Sequence, residues 1–378
     1  MNRKEISFWE QSAFLKPADF LVIGSGIVGL SAAIDLKTQR PGNRIVVVDR
    51  DALGFGGTTR NAGFACFGSP SEVLSDLQSM TENEVLELLT MRWEGLRLLR
   101  KNIGDNELGY SPCGSIELFT SQDQEVYENC MHQLPYLNEL LKPITGTPPF
   151  RATANLDTFN FQGFKAGIDN TQEGSIDTGK MAYSLRAKAL RIGVEIFNGI
   201  EVKSINSHGT NCTVELQYGE LKANQVLVCT NGFTKQLLPK TDVQPARNKV
   251  LLTSEIPTLN WDKTFHFNEG YFYFRNVGKR ILIGGGRHLD ETWETSTAAV
   301  PPNVTEALQN LLSDKILPNT HYDIDFEWTG YLGIGRQRKI ELSSPLPNVH
   351  LAVRMGGMGV AIGSYVGQQV AQSALDHF

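Results

Sequence analysis

Three closely spaced glycines near the start of the chain have the spacing of a phosphate-binding turn. Gly24, Gly26 and Gly29 follow the apolar run at 19–23 and lead directly into a helical pattern of apolar residues. Glycine at these places allows a sharp turn, a close approach of the backbone to a pyrophosphate, and tight packing of helix against strand. The N-terminus of the following helix would then present free N–H groups and a positive dipole to a phosphate.

An acidic residue completes this pattern. A second apolar run at 45–48 ends in Asp49, which lies 25 residues after Gly24. A carboxylate at the end of that second strand can accept hydrogen bonds from the hydroxyls of a ribose. The order strand, turn, helix, strand and acid therefore predicts a site for the ADP half of a dinucleotide, and a merely structural turn is the alternative. The predicted contacts are Gly24, Ser25, Gly26, Ile27, Gly29, Asp49 and Arg50.

The composition limits the classes of partner. The 378 residues carry a formal net charge of −6 and contain no long basic block, which argues against nucleic acid as the main partner. No apolar stretch reaches the ~18 residues that a membrane helix needs, and we expect a cytoplasmic protein. Five cysteines form no C-x-x-C pair, a usage that fits reduced thiols. The seven histidines show no metal-ligand spacing, so no metal site is predicted.

The elements that must position these residues can be predicted from local signals. Capping patterns at Ser69 and Thr81 predict two helices, and a third helical pattern follows Ser121. Alternating residues predict antiparallel strands at 249–254, 270–276 and 280–285. The nucleotide-binding domain is therefore predicted to be discontinuous, with a β-rich domain inserted into it. The predicted boundaries are 1–104, 175–243 and 326–378 for the first domain, and 105–174 and 244–325 for the second.

Six segments in the expected order together resemble a known family. They are 24–29 with Asp49-Arg50, the run Gly-Gly-Thr-Thr-Arg-Asn-Ala-Gly at 56–63, the block at 193–196, Thr230-Asn231-Gly232, Trp328-Thr329-Gly330, and 354–360. With these segments the chain resembles the D-amino acid oxidase-like flavoproteins, which include glycine oxidase, sarcosine oxidase and amino-acid dehydrogenases. The resemblance implies FAD rather than NAD as the cofactor. It implies an α/β fold, with a Rossmann-type FAD-binding domain and an inserted antiparallel β-rich α+β substrate domain.

The resemblance also implies which residues hold the flavin end of the cofactor. The loop at 58–63 would run beside the pyrophosphate, the ribityl chain and the flavin ring, and Val202 would lie near the adenine. The N-terminus of the last helix would stabilise negative charge on the reduced ring. No cysteine lies near Gly333, so the FAD is expected to be noncovalently bound. The residues assigned in this way are Thr58, Thr59, Arg60, Asn61, Ala62, Gly63, Val202, Thr230, Asn231, Gly232, Gly356, Gly357, Met358, Gly359 and Val360.

Candidate substrate ligands lie on the predicted strand at 270–276. Strand alternation puts Tyr271, Tyr273 and Arg275 on one face, where two hydroxyls and a guanidinium would suit a carboxylate. The alternative is an exposed strand face with aromatic cross-strand pairs. Arg287 is a second candidate for the carboxylate.

The chain departs from the family pattern where a carboxylate-binding arginine is expected. Leu332 stands at the equivalent place, and Arg336-Gln337-Arg338-Lys339 replaces the usual Asp-x-x-Pro. The resemblance implies oxidation of the CH–NH group of a small amino acid or secondary amine, by hydride transfer to flavin N5. Two alternatives stay open. One is a dehydrogenase of a 2-hydroxy acid that uses an acceptor other than oxygen, and the other is a flavoprotein without catalytic turnover.

Overall fold

The computed structural model describes residues 6–54, 56–153, 155–289, 302–336 and 339–378. The helices in these residues are α1 Phe8–Ala13, α2 Ile27–Gln39, α3 Pro70–Ser79, α4 Glu82–Ile103, α5 Asp105–Leu108, α6 Gln124–Thr145, α7 Thr178–Arg191, α8 Pro302–Leu311 and α9 Gly359–Asp376. The strands are β1 Ala18–Ile23, β2 Ile45–Asp49, β3 Phe64–Ala65, β4 Ser115–Thr120, β5 Phe150–Ala152, β6 Phe164–Asn170, β7 Gly174–Ser175, β8 Glu195–Asn198, β9 Val202–Ser207, β10 Cys212–Leu216, β11 Gly219–Val228, β12 Gln244–Thr253, β13 Thr264–Phe267, β14 Phe272–Val277, β15 Arg280–Gly285, β16 Ile324–Ile334, β17 Glu341–Leu346 and β18 Val349–Val353.

The first sheet contains the two strands predicted to bind the nucleotide. Its order is β17-β18-β11-β1-β2-β8; β10 also pairs with β11, and β9 pairs with β10. The strands from β18 to β8 are parallel, and the apolar runs of β1 and β2 are buried on both faces. The carboxyl ends of parallel strands meet at one edge, where an α/β sheet binds its ligand.

Helices α2 and α9 cross closely on this sheet because glycines face the contact. A Cβ added to Gly367 would lie 2.6 Å from the carbonyl oxygen of Val28, and one added to Gly95 of α4 would overlap the carbonyl oxygen of Ala361. The Ser31 and Ser364 hydroxyls lie 3.2 Å apart in the same contact. The start of α9 is therefore fixed against both α2 and α4.

The second sheet has the order β16-β12-β15-β14-β13-β4-β6-β5. One of its faces is apolar and packs against α8; Phe265, Phe274 and Leu308 lie in this core. The other face carries polar side chains, described below. The two-stranded pair β3 and β7 lies outside both large sheets.

The structure confirms the predicted α/β architecture, with one difference in the second sheet. β13 pairs with β4 in parallel, so the inserted sheet is mixed rather than wholly antiparallel. β16, which contains the predicted boundary at 326, pairs along its length with β12. The domain boundaries stay predictions. The predicted helices after Ser69 and Thr81 are confirmed, and both residues cap them through their side chains.

Candidate active site

The glycine-rich turn has the geometry that its sequence predicts. Gly24 has a φ of +106°, and a Cβ there would lie 2.7 Å from the carbonyl oxygen of Cys229, while one on Gly29 would overlap the carbonyl oxygen of Gly24. Only glycine therefore fits these two positions. Helix α2 begins at Ile27 with Gly26 as its N-cap, and Gly26 supplies no side-chain cap. The turn leaves backbone N–H groups of Val28 and Gly29 pointing out of the helix N-terminus.

Asp49 is the last residue of β2, and its carboxylate also fixes the glycine-rich turn. Its Oδ2 accepts hydrogen bonds from Ser25 N at 2.7 Å and from Ser25 Oγ at 2.8 Å. Its Oδ1 accepts one from Asp51 N at 2.9 Å. Arg50 is exposed, and its guanidinium lies 4.4 Å from the ring centroid of Phe233. The Asp49 carboxylate is half-buried. Its oxygens retain lone pairs with which it could accept hydrogen bonds from the predicted ribose.

The loop at 56–63 lies against the start of α2. Thr58 Oγ1 accepts a hydrogen bond from Ile27 N at 2.9 Å. Asn61 fixes the loop internally, because its Nδ2 donates to Thr58 O at 2.7 Å and its Oδ1 accepts from Gly63 N at 2.8 Å. Thr59 Oγ1 is buried and has no hydrogen-bond partner among the described residues.

Strand β16 fastens this loop from the other side. Arg60 Nη1 donates to Thr329 O at 3.1 Å, and Trp328 Nε1 donates to Arg60 O at 3.1 Å. A Cβ on Gly330 would lie 2.7 Å from Arg60 O, so the close approach needs glycine there. The Trp-Thr-Gly segment thus positions the loop through its backbone and the indole.

The end of β11 positions the C-terminal glycine loop. Asn231 has a φ of 45°, and its Oδ1 accepts from Arg354 N at 3.2 Å and from Met355 N at 3.4 Å. Gly356 N donates to Gly333 O at 3.2 Å, which joins this loop to β16. Thr230 Oγ1 lies 2.9 Å from Thr234 Oγ1, and Gly232 approaches Leu332 O. These residues hold the loop in place.

Helix α9 starts directly after this loop. Its N-cap, Met358, makes no side-chain cap, and no acidic residue lies in the first turn. A Cβ on Gly356 or Gly357 would meet no described atom within 4 Å. Helices α2 and α9 pack against one another, neither has a side-chain cap from its own N-cap residue, and both N-termini attract negative charge.

Arg275 has different partners from those that the sequence predicts. The alternation is correct, since Tyr273 and Arg275 share the face opposite Phe274. However, the Arg275 side chain donates to three backbone carbonyls: Nε to Ala62 O at 2.6 Å, Nη2 to Ile176 O at 2.9 Å and Nη1 to Asn276 O at 3.4 Å. The residue is only 8% exposed. Its guanidinium binds the 56–63 loop to the second sheet.

The two tyrosines on this face have separate neighbours. Tyr273 packs edge-on against Phe64 with ring centroids 5.4 Å apart, and its hydroxyl accepts from Asn248 Nδ2 at 2.7 Å. Burial raises the pKa of the Tyr273 hydroxyl, which therefore stays protonated. The Tyr271 and His288 ring centroids lie 4.7 Å apart with the rings tilted by 57°, and the Arg287 guanidinium lies 5.6 Å from the Tyr271 ring centroid.

Further polar residues, which were not predicted from the sequence, lie on the same face of the second sheet. Glu117 and Tyr273 are the direct neighbours of His266 on the adjacent strands. Burial raises the pKa of Glu117 to about 7 and lowers that of His266 to about 4. The sequence signal was a charged residue at an alternate position of an otherwise apolar strand, Ser115-Ile-Glu-Leu-Phe.

Two classes of site receive no support in the described part of the chain. No group of three or more His, Cys, Asp or Glu side chains among these residues is placed to hold a metal ion. Within the same residues, none of the helices combines the length and apolar character that crossing a bilayer requires.

Comparison with known proteins identifies the family of this chain. Residues 19–373 match the family model described as FAD dependent oxidoreductase. A probable oxidoreductase OrdL of Rhizobium meliloti (strain 1021) is 25% identical over 374 residues, which are 95% of this chain and 83% of that protein. A bifunctional protein ThiO/ThiG of Synechocystis sp. is 25% identical over 320 residues, 79% of this chain, but only 42% of its own length is covered.

Solved structures agree in fold. The glycine oxidase of Bacillus cereus ATCC 14579 has a TM-score of 0.76 at 13% identity, with 95% of this chain and 98% of that chain covered. The iminodiacetate oxidase of Chelativorans sp. BNC1 has a TM-score of 0.76 at 18% identity, with 95% and 96% covered. Because the family model spans nearly the whole sequence, the chain belongs to the FAD dependent oxidoreductase family.

Proposed function

We propose that this FAD-dependent oxidoreductase oxidises the CH–NH group of a small amino acid or secondary amine, with its FAD held noncovalently. The observation that carries the proposal is the polar face of the second sheet, which Arg275 fastens directly to the 56–63 loop at Ala62 O. A polar wall beside the predicted flavin loop is where a small polar substrate would lie. The proteins similar in fold include a glycine oxidase and an iminodiacetate oxidase.

The residues present fit FAD. The N-cap residues of α2 and α9, Gly26 and Met358, supply no side-chain cap, and Thr59 Oγ1 is a buried hydroxyl without a hydrogen-bond partner among the described residues. We assign the ADP moiety to the turn at 24–29, with Asp49 on the ribose and Val202, the first residue of β9, near the adenine. The flavin end is assigned to Thr58–Gly63 and Gly356–Val360, with Thr230–Gly232 supporting the second of these loops.

The chemistry divides between cofactor and protein. When bound, the flavin supplies the acceptor for a hydride from the substrate carbon. The protein binds the substrate, orients its C–H bond and keeps water out. Tyr273 serves this purpose with a protonated hydroxyl held by Asn248, and the aromatic contact with Phe64 closes that side of the wall. Hydride transfer starts from the neutral amine, so an amine that binds as its ammonium form releases one proton before the C–H bond is broken.

We assign the substrate carboxylate to the end of the second sheet's polar face where Tyr271 lies. Arg275 is engaged by backbone carbonyls, which leaves Tyr271 with its neighbours Arg287 and His288 as the proposed ligands. Nδ1 of His288 is buried and finds no hydrogen-bond partner in the described part of the chain. A cation and a tyrosine side by side suit a carboxylate.

An anaerobic reduction screen tests the function. FAD-loaded protein is mixed without oxygen with glycine, sarcosine, iminodiacetate, L-proline and, as the hydroxy-acid comparison, lactate. We expect loss of the oxidised flavin absorbance with at least one amine and none with lactate. Reduction by lactate alone would identify a hydroxy-acid dehydrogenase, and a flavin that stays oxidised with every amine would contradict the proposal. Acid precipitation should release all of the FAD if it is noncovalently bound.

A further inference from the structure

A row of polar side chains crosses the middle of the second sheet. In β13, His266 is paired with Glu117 of β4 on one side and with Tyr273 of β14 on the other. Directly paired residues of neighbouring strands lie on the same face, and Tyr273 extends the row to Asn248 through a 2.7 Å hydrogen bond. We call Glu117, His266, Tyr273 and Asn248 the polar row.

The polar row faces the predicted flavin loop. Tyr273 lies in one apolar cluster with Ala62 and Phe64, and Arg275, two residues along the same strand, donates to Ala62 O at 2.6 Å. The intervening residues of β13 and β14, Phe265 and Phe274, point into the apolar core on the other side. The polar row therefore forms part of the wall of the proposed substrate site.

The β4 side of this wall carries carboxyl groups. Glu117 is 2% exposed and accepts hydrogen bonds from Ser69 Oγ and Ser71 N, both at 3.2 Å. The carboxylate of Glu72 lies close enough to His266 to favour positive charge on the imidazole. Burial keeps that imidazole neutral, with its pKa at about 4, so it offers one acceptor nitrogen.

Two of the cations near this wall, Arg92 and Arg275, are bound to other groups. Arg92 Nη1 forms an ion pair with Glu72 at 2.9 Å and donates to Phe67 O at the same distance. Arg275 donates to three backbone carbonyls, as described above. Asn248 Oδ1 is buried, and no described residue donates a hydrogen bond to it. The polar row therefore presents hydrogen-bond acceptors and partial negative charge to a ligand.

We propose that His266, backed by Glu117, binds the positively charged nitrogen of the ligand, so that this wall selects an ammonium group over a carboxylate. The proposal rests on the proposed function, because it specifies the substrate class of the same site. A dipolar substrate would lie along the face, with its nitrogen at the polar row and its carboxylate at Tyr271 and Arg287. The charges at the two ends of the ligand, and not one arginine alone, then determine which ligands bind.

Two unreactive ligands of equal shape can test this selection. tert-Butylammonium has no hydrogen on the carbon next to nitrogen and so cannot be oxidised there, and pivalate presents a carboxylate on the same tert-butyl group. Their dissociation constants are measured from the change in visible absorbance of the FAD-loaded protein. In Glu117→Gln and His266→Phe, tert-butylammonium affinity should fall about ten-fold or more, while pivalate affinity should not fall.

A matched variant separates charge from general damage. Glu173 is also buried and accepts from Phe67 N at 2.7 Å and Gly68 N at 3.0 Å, but it lies outside the polar row. Glu173→Gln should change the ammonium-to-pivalate affinity ratio far less than Glu117→Gln does. If Glu117→Gln does not fold, His266→Phe alone decides the question.

Two results would overturn the inference. One is equal loss of affinity for both ligands in the polar-row variants, and the other is unchanged affinity for tert-butylammonium. Neither ligand needs to reduce the flavin, so the binding result is independent of the anaerobic screen. Selective ammonium binding in a protein that no amine reduces would contradict the proposed oxidation and leave this inference intact.

Discussion

Several side chains at this site bind backbone groups of other segments, a role that their residue types alone do not indicate. A buried guanidinium is stable only when its donors are satisfied, and Arg275 satisfies its donors with carbonyl groups of Ala62, Ile176 and Asn276. Asn231 and Asp49 likewise use carboxamide and carboxylate oxygens to fix backbone N–H groups. The shape of the cofactor loops therefore depends on a few side chains that join separate segments.

Replacing Arg275 should weaken cofactor binding first. In Arg275→Ala the loop at Ala62 loses its tie to the second sheet, and we expect the FAD dissociation constant to rise about ten-fold or more. Titration of the apoprotein with FAD, followed by flavin fluorescence, measures this. Arg280→Ala is the control, because Arg280 lies on the neighbouring strand but pairs with Asp325 at the surface, and it should leave FAD affinity nearly unchanged.

The same variant also tests the sequence-based assignment of Arg275. Unchanged FAD affinity, together with a raised Michaelis constant for carboxylate substrates only, would return Arg275 to the role of a substrate ligand. Strand alternation correctly predicted its face, but it could not predict the partners, because the Ala62 and Ile176 carbonyls come from distant segments.

Glycines determine how closely helices α2, α4 and α9 pack against one another. The start of α9 contributes to the predicted flavin site and also packs against Gly95 of α4. A helix N-terminus acts only on charge within about its first turn. Small shifts of α9 should therefore reach the cofactor.

Gly95→Ala should separate α4 from α9. The added Cβ would overlap the Ala361 carbonyl, and overpacking of this kind costs ~1–3 kcal/mol, more than the ~1 kcal/mol that alanine gains over glycine inside a helix. Urea unfolding should show a lower free energy of unfolding. Gly42→Ala, where the new methyl meets no described atom within 4 Å, should not destabilise. Equal stability of the two variants would show that the helices adjust without cost.

Local signals predicted most of the elements, and nonlocal pairing accounts for the differences. The Ser69 and Thr81 caps act within four residues, so the starts of α3 and α4 follow from the sequence. The parallel pairing of β13 with β4 joins residues about 150 positions apart, and no local pattern encodes it. Glu117 and His266 became neighbours only through this pairing.

The whole molecule consists of a nucleotide-binding sheet and a second sheet whose two faces differ in polarity. The apolar face packs against α8, and on the polar face Arg275 and Tyr273 contact Ala62 and Phe64, next to the residues proposed to bind the flavin. Burying polar groups costs stability unless they are paired. Glu117 and Tyr273 are paired on this face, whereas Asn248 Oδ1 is buried without a partner among the described residues.

One consequence is that Glu117 should make the stability of the molecule depend on pH. Burial raises its pKa from the ordinary 4.5 to about 7, so between these values the folded protein holds a proton that the unfolded chain has released. The stabilising contribution is complete below pH 4.5 and is lost as the pH rises to about 7. A difference of this size corresponds to at most ~3 kcal/mol.

Comparison with Glu117→Gln isolates this effect from opposing groups. His266 and His350 have pKa values lowered to about 4, so their contributions rise with pH over part of the same range. The free energy of unfolding of the parent minus that of Glu117→Gln should therefore decrease steadily from pH 4.5 to 7, as measured by urea unfolding at several pH values. Parallel curves for the parent and Glu117→Gln would mean that Glu117 ionises with its ordinary pKa of 4.5, and the wall of the site would then be negatively charged near neutral pH.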